Sequence, residues 1–172
     1  MTPLNYLAAY PEAVQRQVQQ ALDAGRLAEN LRRRYAGRHD VRTDRALFDY
    51  TLALKQRFMR HAGPLARVGY DDRLQVVAHA LGTHTTISRV QGSKLKAKRE
   101  IRVAALFKAL PAEFLKMIVV HELAHMKERE HDKAFYQLCS HMEGDYHRLE
   151  FDLRLVLTLQ SVSGEAVWPE LA

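Results

Sequence analysis

The 172-residue sequence contains a single cysteine, Cys139. No intramolecular disulfide can form, and a reducing compartment is expected. No apolar run approaches the roughly 20 residues that a membrane-spanning helix needs. The opening stretch MTPLNYLAAYPEAVQRQ has no basic segment leading into an apolar core, so no secretory signal peptide is expected. Internal repeats, low-complexity tracts and a clear linker are also missing. Together these absences point to a soluble, cytoplasmic protein without a membrane partner. What is present is an ordinary globular balance, 47% hydrophobic and 27% charged residues, which excludes a disordered chain and fits one domain. A net charge of +6 allows an anionic partner without requiring one.

The hydrophobic spacing predicts an α+β domain. Residues 11–35 open on Pro11, place Val14, Val18, Ala21 and Leu22 on one face, and end in Arg32-Arg33-Arg34, where cations complement a helix C-terminus. A second helix, capped by Thr43 or Asp44, aligns Leu47, Tyr50, Thr51, Leu54 and Phe58, and stops at Gly63-Pro64. The texture then turns β-like. LQVVAHAL (74–81), THTTISRV (83–90) and IRVAALF (101–107) predict a small, mostly antiparallel sheet of about three strands. After Pro111 one long helix is expected over 112–130. Two more follow, the first capped by Asp132 and the last carrying Tyr146, Leu149, Leu153, Val156 and Leu157. In domain terms this gives an N-terminal helical region, 1–65, a core at 66–160 and an irregular tail, 161–172.

The chemistry concentrates in the long helix. His121 and His125 are four residues apart, so both imidazoles face one point one turn above the other. Two imidazoles so placed suit a tetrahedral Zn²⁺. Glu122, rotated about 100° from His121, stays near such a metal without ligating it and can act as a proton acceptor. With nine histidines and eleven glutamates, this H-E-x-x-H pattern would arise by chance in about 3 of 100 such chains, so the pattern alone is weak evidence. A further histidine at the position of His131 lowers that to about 2 in 1,000. On a continuous helix His131 would lie roughly 15 Å along the axis from His121. A shared metal therefore requires the helix to end near Glu130, before Asp132 starts the next one. The surrounding residues Phe114, Leu115, Met117, Ile118, Val119 and Val120 are apolar nearly all round. That predicts a buried helix, in which buried histidines beside a buried glutamate need a partner such as a metal.

His121-Glu122-Leu123-Ala124-His125, five residues, His131, and Phe135 four later resemble the active-site block of the YgjP-like metallopeptidases, relatives of the SprT-like and other small gluzincin-type zinc peptidases. The likeness runs from about residue 73 to 157. Members typically carry Arg-Trp-Gly-Ser-Cys before the last strand. Here the corresponding residues are Arg89-Val90-Gln91-Gly92-Ser93-Lys94, which keep Gly-Ser and lack the Trp and Cys. The resemblance implies a zincin-like fold, Zn²⁺ on His121, His125 and His131, and Glu122 as the general base for a zinc-bound water that hydrolyses peptide bonds. His141, Tyr146 and His147 are candidates for stabilising the developing oxyanion.

Other readings stand beside it. A metal-dependent nucleoside triphosphate pyrophosphatase is one, an activity associated with some YgjP-like proteins. A nucleic-acid-associated protein with a structural zinc is another, and it would need a closed four-ligand site. Lys94, Lys96, Lys98, Arg99 and Arg102 would offer phosphate contacts, yet the same residues suit a solvated loop guarding a sheet edge, which is the favoured expectation. Cys139 is expected in the core beside Phe135 and Met142. Glu128 and Glu130 could orient ligand histidines, although near a helix end they are more simply solvated.

Overall fold

The structure is a computed structural model that describes residues 4–74 and 99–171. The element order is α1 (Glu12–Asp23), α2 (Leu27–Arg34), α3 (Asp44–Phe58), β1 (Leu65–Asp71), β2 (Arg99–Ala104), α4 (Ala112–Ala124), α5 (Lys133–Met142) and α6 (Tyr146–Ser163). Short 3₁₀ turns occupy Asn5–Leu7, Ala105–Ala109 and Pro169–Leu171. The α+β class holds; several details differ from expectation.

The single helix expected over 11–35 is two. Gly25 adopts φ +67°, Gly25 N–H donates to Leu22 O at 2.9 Å and Arg26 N–H to Ala21 O at 3.0 Å. This pair of bonds is a Schellman stop, which favours glycine at the left-handed position. Thr43 caps α3, accepting from Ala46 N at 3.1 Å. That frees Asp44 for another task, accepting from Tyr70 N at 2.8 Å and tying α3 to β1. A Cβ on Gly69 would lie 3.1 Å from that carboxylate, so glycine permits the close approach.

β1 and β2 pair in parallel, with Val68 opposite Ile101 and Tyr70 opposite Val103. The antiparallel, three-stranded expectation is corrected here. β1 was not foreseen, because its burial does not alternate and only Val68 and Gly69 are buried. Parallel strands need a long crossover, and residues 72–98 lie between these two. Apart from Leu74, the strands expected at 74–81 and 83–90, the Gly92-Ser93 turn, and Lys94, Lys96 and Lys98 fall outside the described residues. The expected strand at 101–107 starts earlier, at Arg99, and passes into a 3₁₀ turn after Ala104.

One cluster of buried apolar side chains runs from Leu7 to Leu171. α4 is its centre, with Phe114, Val119, Val120, Leu123 and Ala124 fully enclosed. Burying a side chain such as Phe or Leu stabilises by about 1.5–3 kcal/mol, so so apolar a helix is held by packing rather than by propensity. The N-terminal helices join this core through α6. Asp152, 1% exposed, accepts from Arg34 at 2.7 Å and from the Tyr35 hydroxyl. The tail is irregular but docked: Trp168 Nε1 donates to Tyr35 O at 3.0 Å, and Arg32 Nε to Val167 O at 2.6 Å.

Candidate metal centre

α4 ends at Ala124, not near Glu130 as expected. Met126 N–H turns back to Leu123 O, and Lys127 and Glu128 N–H to Ala124 O, closing the helix in a tight turn. The chain then has seven residues in which to reverse. Asp132 ends the reversal by accepting from Phe135 N at 3.0 Å, which starts α5. The early stop brings His131, ten residues beyond His121, to the same place as the two helical histidines.

Three imidazole nitrogens meet there. His121 Nε2 and His125 Nε2 are 3.2 Å apart, His125 and His131 3.1 Å, and His131 and His121 3.2 Å. Ligand nitrogens about 2.0–2.1 Å from a tetrahedral Zn²⁺ would be roughly 3.3–3.4 Å from one another, so the observed triangle fits such an ion closely. Hydrogen bonding within the triangle fits less well. His125 Nδ1 faces the Glu128 carbonyl at 3.0 Å; a carbonyl only accepts, so Nδ1 carries the proton and the neutral ring presents a lone pair at Nε2. One N–H cannot serve three mutual contacts, whereas one cation satisfies all three lone pairs. Among the described residues, His121, His125 and His131 are the only group of three or more His, Cys, Asp or Glu placed to hold a metal ion.

The supports of this triangle are protein-built. Phe135, fully buried, packs its ring 4.6–4.9 Å from all three imidazole centroids. Behind His121, Nδ1 lies 2.6 Å from the Tyr146 hydroxyl. The Glu150 carboxylate lies near the Tyr146 hydroxyl and accepts from Arg154 at 3.4 Å. Burial first, and then the neighbouring Glu150 charge, push the Tyr146 hydroxyl far above its ordinary range, so it stays protonated. Burial also raises the Glu150 carboxyl, against the pull of Arg154. When the protonated Tyr146 hydroxyl accepts from His121 Nδ1–H, the His121 lone pair is left on Nε2, the atom that faces the other two imidazoles.

Glu122 is 3% exposed on α4, beside His121. Tyr146, one of the oxyanion candidates, has its hydroxyl against His121 Nδ1, on the side of that ring away from the Nε2 triangle. His141 and His147 are exposed; His141 meets the Phe58 ring and His147 the Tyr136 ring. Glu128 does meet His125, but through its main-chain carbonyl rather than its carboxylate, and Glu130 is exposed. Cys139 is fully buried, and burial pushes its thiol up to about 12. Of the basic run that is described, Arg102 is paired with Asp71 and Glu100, while Arg99 donates to the Met126 carbonyl beside the site. Nothing in the spacing announced Tyr146 as a support. The signal available was a tyrosine one helix beyond a ligand cluster, which is too common to single out.

Comparison with known proteins points the same way as the site. A family model described as YgjP-like, metallopeptidase domain, matches residues 50–155, reaching from within α3 into α6 and including all three histidines and Glu122. The UTP pyrophosphatase of Escherichia coli (strain K12) is 56% identical over 162 residues, covering 94% of this chain and 97% of that protein. No solved structure matches.

Proposed function

The chain belongs to the YgjP-like family, and from that premise we propose that it hydrolyses nucleoside triphosphates, with UTP as the leading candidate, at a zinc centre on His121, His125 and His131. A metal-dependent hydrolase is what the family and the three-histidine cluster support together. For the substrate, one observation carries the reading: identity of 56% over nearly the whole of both chains to a protein named for UTP hydrolysis. A family description that covers all members says less about this one. The basic net charge of +6 suits an anionic substrate.

Bound there, a divalent metal supplies Lewis acidity toward water and toward a substrate oxygen. The three Nε2 atoms would hold it, and Phe135 packs against all three of their rings. Tyr146 and the Glu128 carbonyl fix the tautomers of His121 and His125. Glu122 accepts the proton that water loses as its oxygen attacks the phosphorus, and can return it to the leaving group. Three imidazoles suit Zn²⁺ better than Mg²⁺, which prefers oxygen ligands.

Peptide-bond hydrolysis is the second reading, favoured by the metallopeptidase-domain match and by H-E-x-x-H itself. The same proton transfer by Glu122 would serve attack on an amide carbonyl. A purely structural zinc is less favoured, because three protein ligands without a fourth among the described residues leave an open position. A nucleic-acid contact through the basic run has little support from Arg102, which is already paired with acids.

The test is a side-by-side assay of metal-stripped protein reloaded with Zn²⁺, Mn²⁺ or Mg²⁺, following pyrophosphate release from UTP and cleavage of a peptide library. UTP turnover restored by Zn²⁺, with no peptide cleaved, is expected. Peptide cleavage with inert UTP would replace the first reading by the second.

A further inference from the structure

A cleft of about 440 Å³ opens between the end of α3, the start of β2 and the turn after α4. This volume falls in the range that takes small-molecule ligands. Its charge is one-sided: Arg60, Arg99 and Lys127 line it together with His61, and among the described residues no acidic one does. Among the described residues, no carboxylate pairs with any of these four. Cations gathered in a concave wall without counter-charges raise the local potential and attract anions.

The cleft is walled by the chain that directly follows the metal centre. Met126 and Lys127, two of its lining residues, directly follow His125 in the turn that closes α4. Arg99 donates to the Met126 carbonyl, which fixes that wall against β2. On the other side Leu138 lines the cleft. It lies one turn after Phe135 on α5, about 4.5 Å along the axis, and Phe135 is the ring that supports the imidazoles.

We propose that this cleft is the polyphosphate subsite of the metal centre, with Arg60, Arg99 and Lys127 holding the phosphate chain of a nucleoside triphosphate while its scissile phosphorus faces the three histidines. The assignment rests on the nucleotide reading above and deepens it. Charged donors to phosphate oxygens are the stronger class of hydrogen bond. Arg60 and Lys127 are exposed at the cleft mouth, where they can meet an incoming substrate. Arg99, already fixed by Met126, adds a preorganised fork.

Arg60→Ala, Lys127→Ala and their double variant test the subsite in the zinc-loaded full chain, with Arg60→Lys and Lys127→Arg as charge-retaining partners. KM for UTP should rise about tenfold for each cation removed, with kcat little changed, metal content unchanged, and largely restored KM in the conservative variants. Calorimetry with α,β-methylene-UTP should show the same loss of affinity, while binding of uridine is unaffected. A double variant whose KM and analogue affinity stay within twofold of the unaltered protein would overturn the subsite. If the unaltered protein turns over no nucleotide, the functional reading fails separately. The subsite is then judged by calorimetry alone: analogue binding that the double variant loses supports it, and absent or unchanged binding overturns it.

Discussion

Replacing Tyr146 by Phe removes one oxygen from a fully buried ring and keeps its shape. The lost contact is the 2.6 Å hydrogen bond to His121 Nδ1. The imidazole then loses the group that selects its tautomer and orients its ring toward the triangle. Partners of this kind behind a metal-ligating histidine typically change affinity 10- to 100-fold, or about 1.4–2.7 kcal/mol. The fold should suffer less: one buried hydrogen bond contributes about 1 kcal/mol, or roughly 2–4 °C in Tm for a chain of this size. Titration against a chromophoric chelator of known zinc affinity measures the first quantity, and thermal unfolding of the metal-free protein measures the second. Zinc affinity within twofold of the unaltered protein would refute the positioning role of Tyr146. A collapse of the metal-free fold would show that the residue acts through packing instead.

Three further outcomes follow from the same geometry. His131→Ala should reduce zinc to a small fraction of one ion per chain by elemental analysis. Full occupancy would move the third ligand to a downstream acid such as Glu143 or Glu150, which the structure pairs with Lys116 at 2.7 Å and with Arg154. Phe135→Ala should cost about 3–5 kcal/mol in denaturant unfolding, and should weaken zinc binding as well, because the ring touches all three imidazoles. A cost below 1 kcal/mol would contradict that packing. Cys139 should resist alkylation at pH 8 in the native protein. With its thiol raised to about 12, the thiolate fraction at pH 8 is on the order of 10⁻⁴. It falls another tenfold for each unit of acidification. Modification as fast as in denaturant would place the residue outside the core.

The site was more legible in the sequence than the sheet, for a physical reason. His121, His125 and their buried helix follow from local periodicity, since four residues make one turn wherever the helix lies. Asp132 was likewise readable as a cap, and it caps α5. The helix stop was foreseen in kind but misplaced by six residues. Met126, Lys127 and Glu128 have no breaker among them, and the turn is made by their own N–H groups folding back on Leu123 and Ala124. Gly25 carried the opposite lesson: a visible stop signal lay within the stretch 11–35 that the apolar spacing joined into one helix. β1 has no alternation to read, because α3 and β2 decide its burial, and strand direction is set by the crossover rather than by either strand. Tyr146 becomes meaningful only once α6 is packed on α4, a contact between distant segments.

The account stands most directly on Glu122. Zinc-loaded Glu122→Gln protein, assayed for UTP hydrolysis with metal counted in the same sample, separates the proton transfer from the binding of the ion. One zinc per chain with turnover reduced by 10² or more is the predicted result. Undiminished turnover at full zinc would remove Glu122 from the chemistry. Zinc lost along with activity would make Glu122 part of the metal's hold instead of its base.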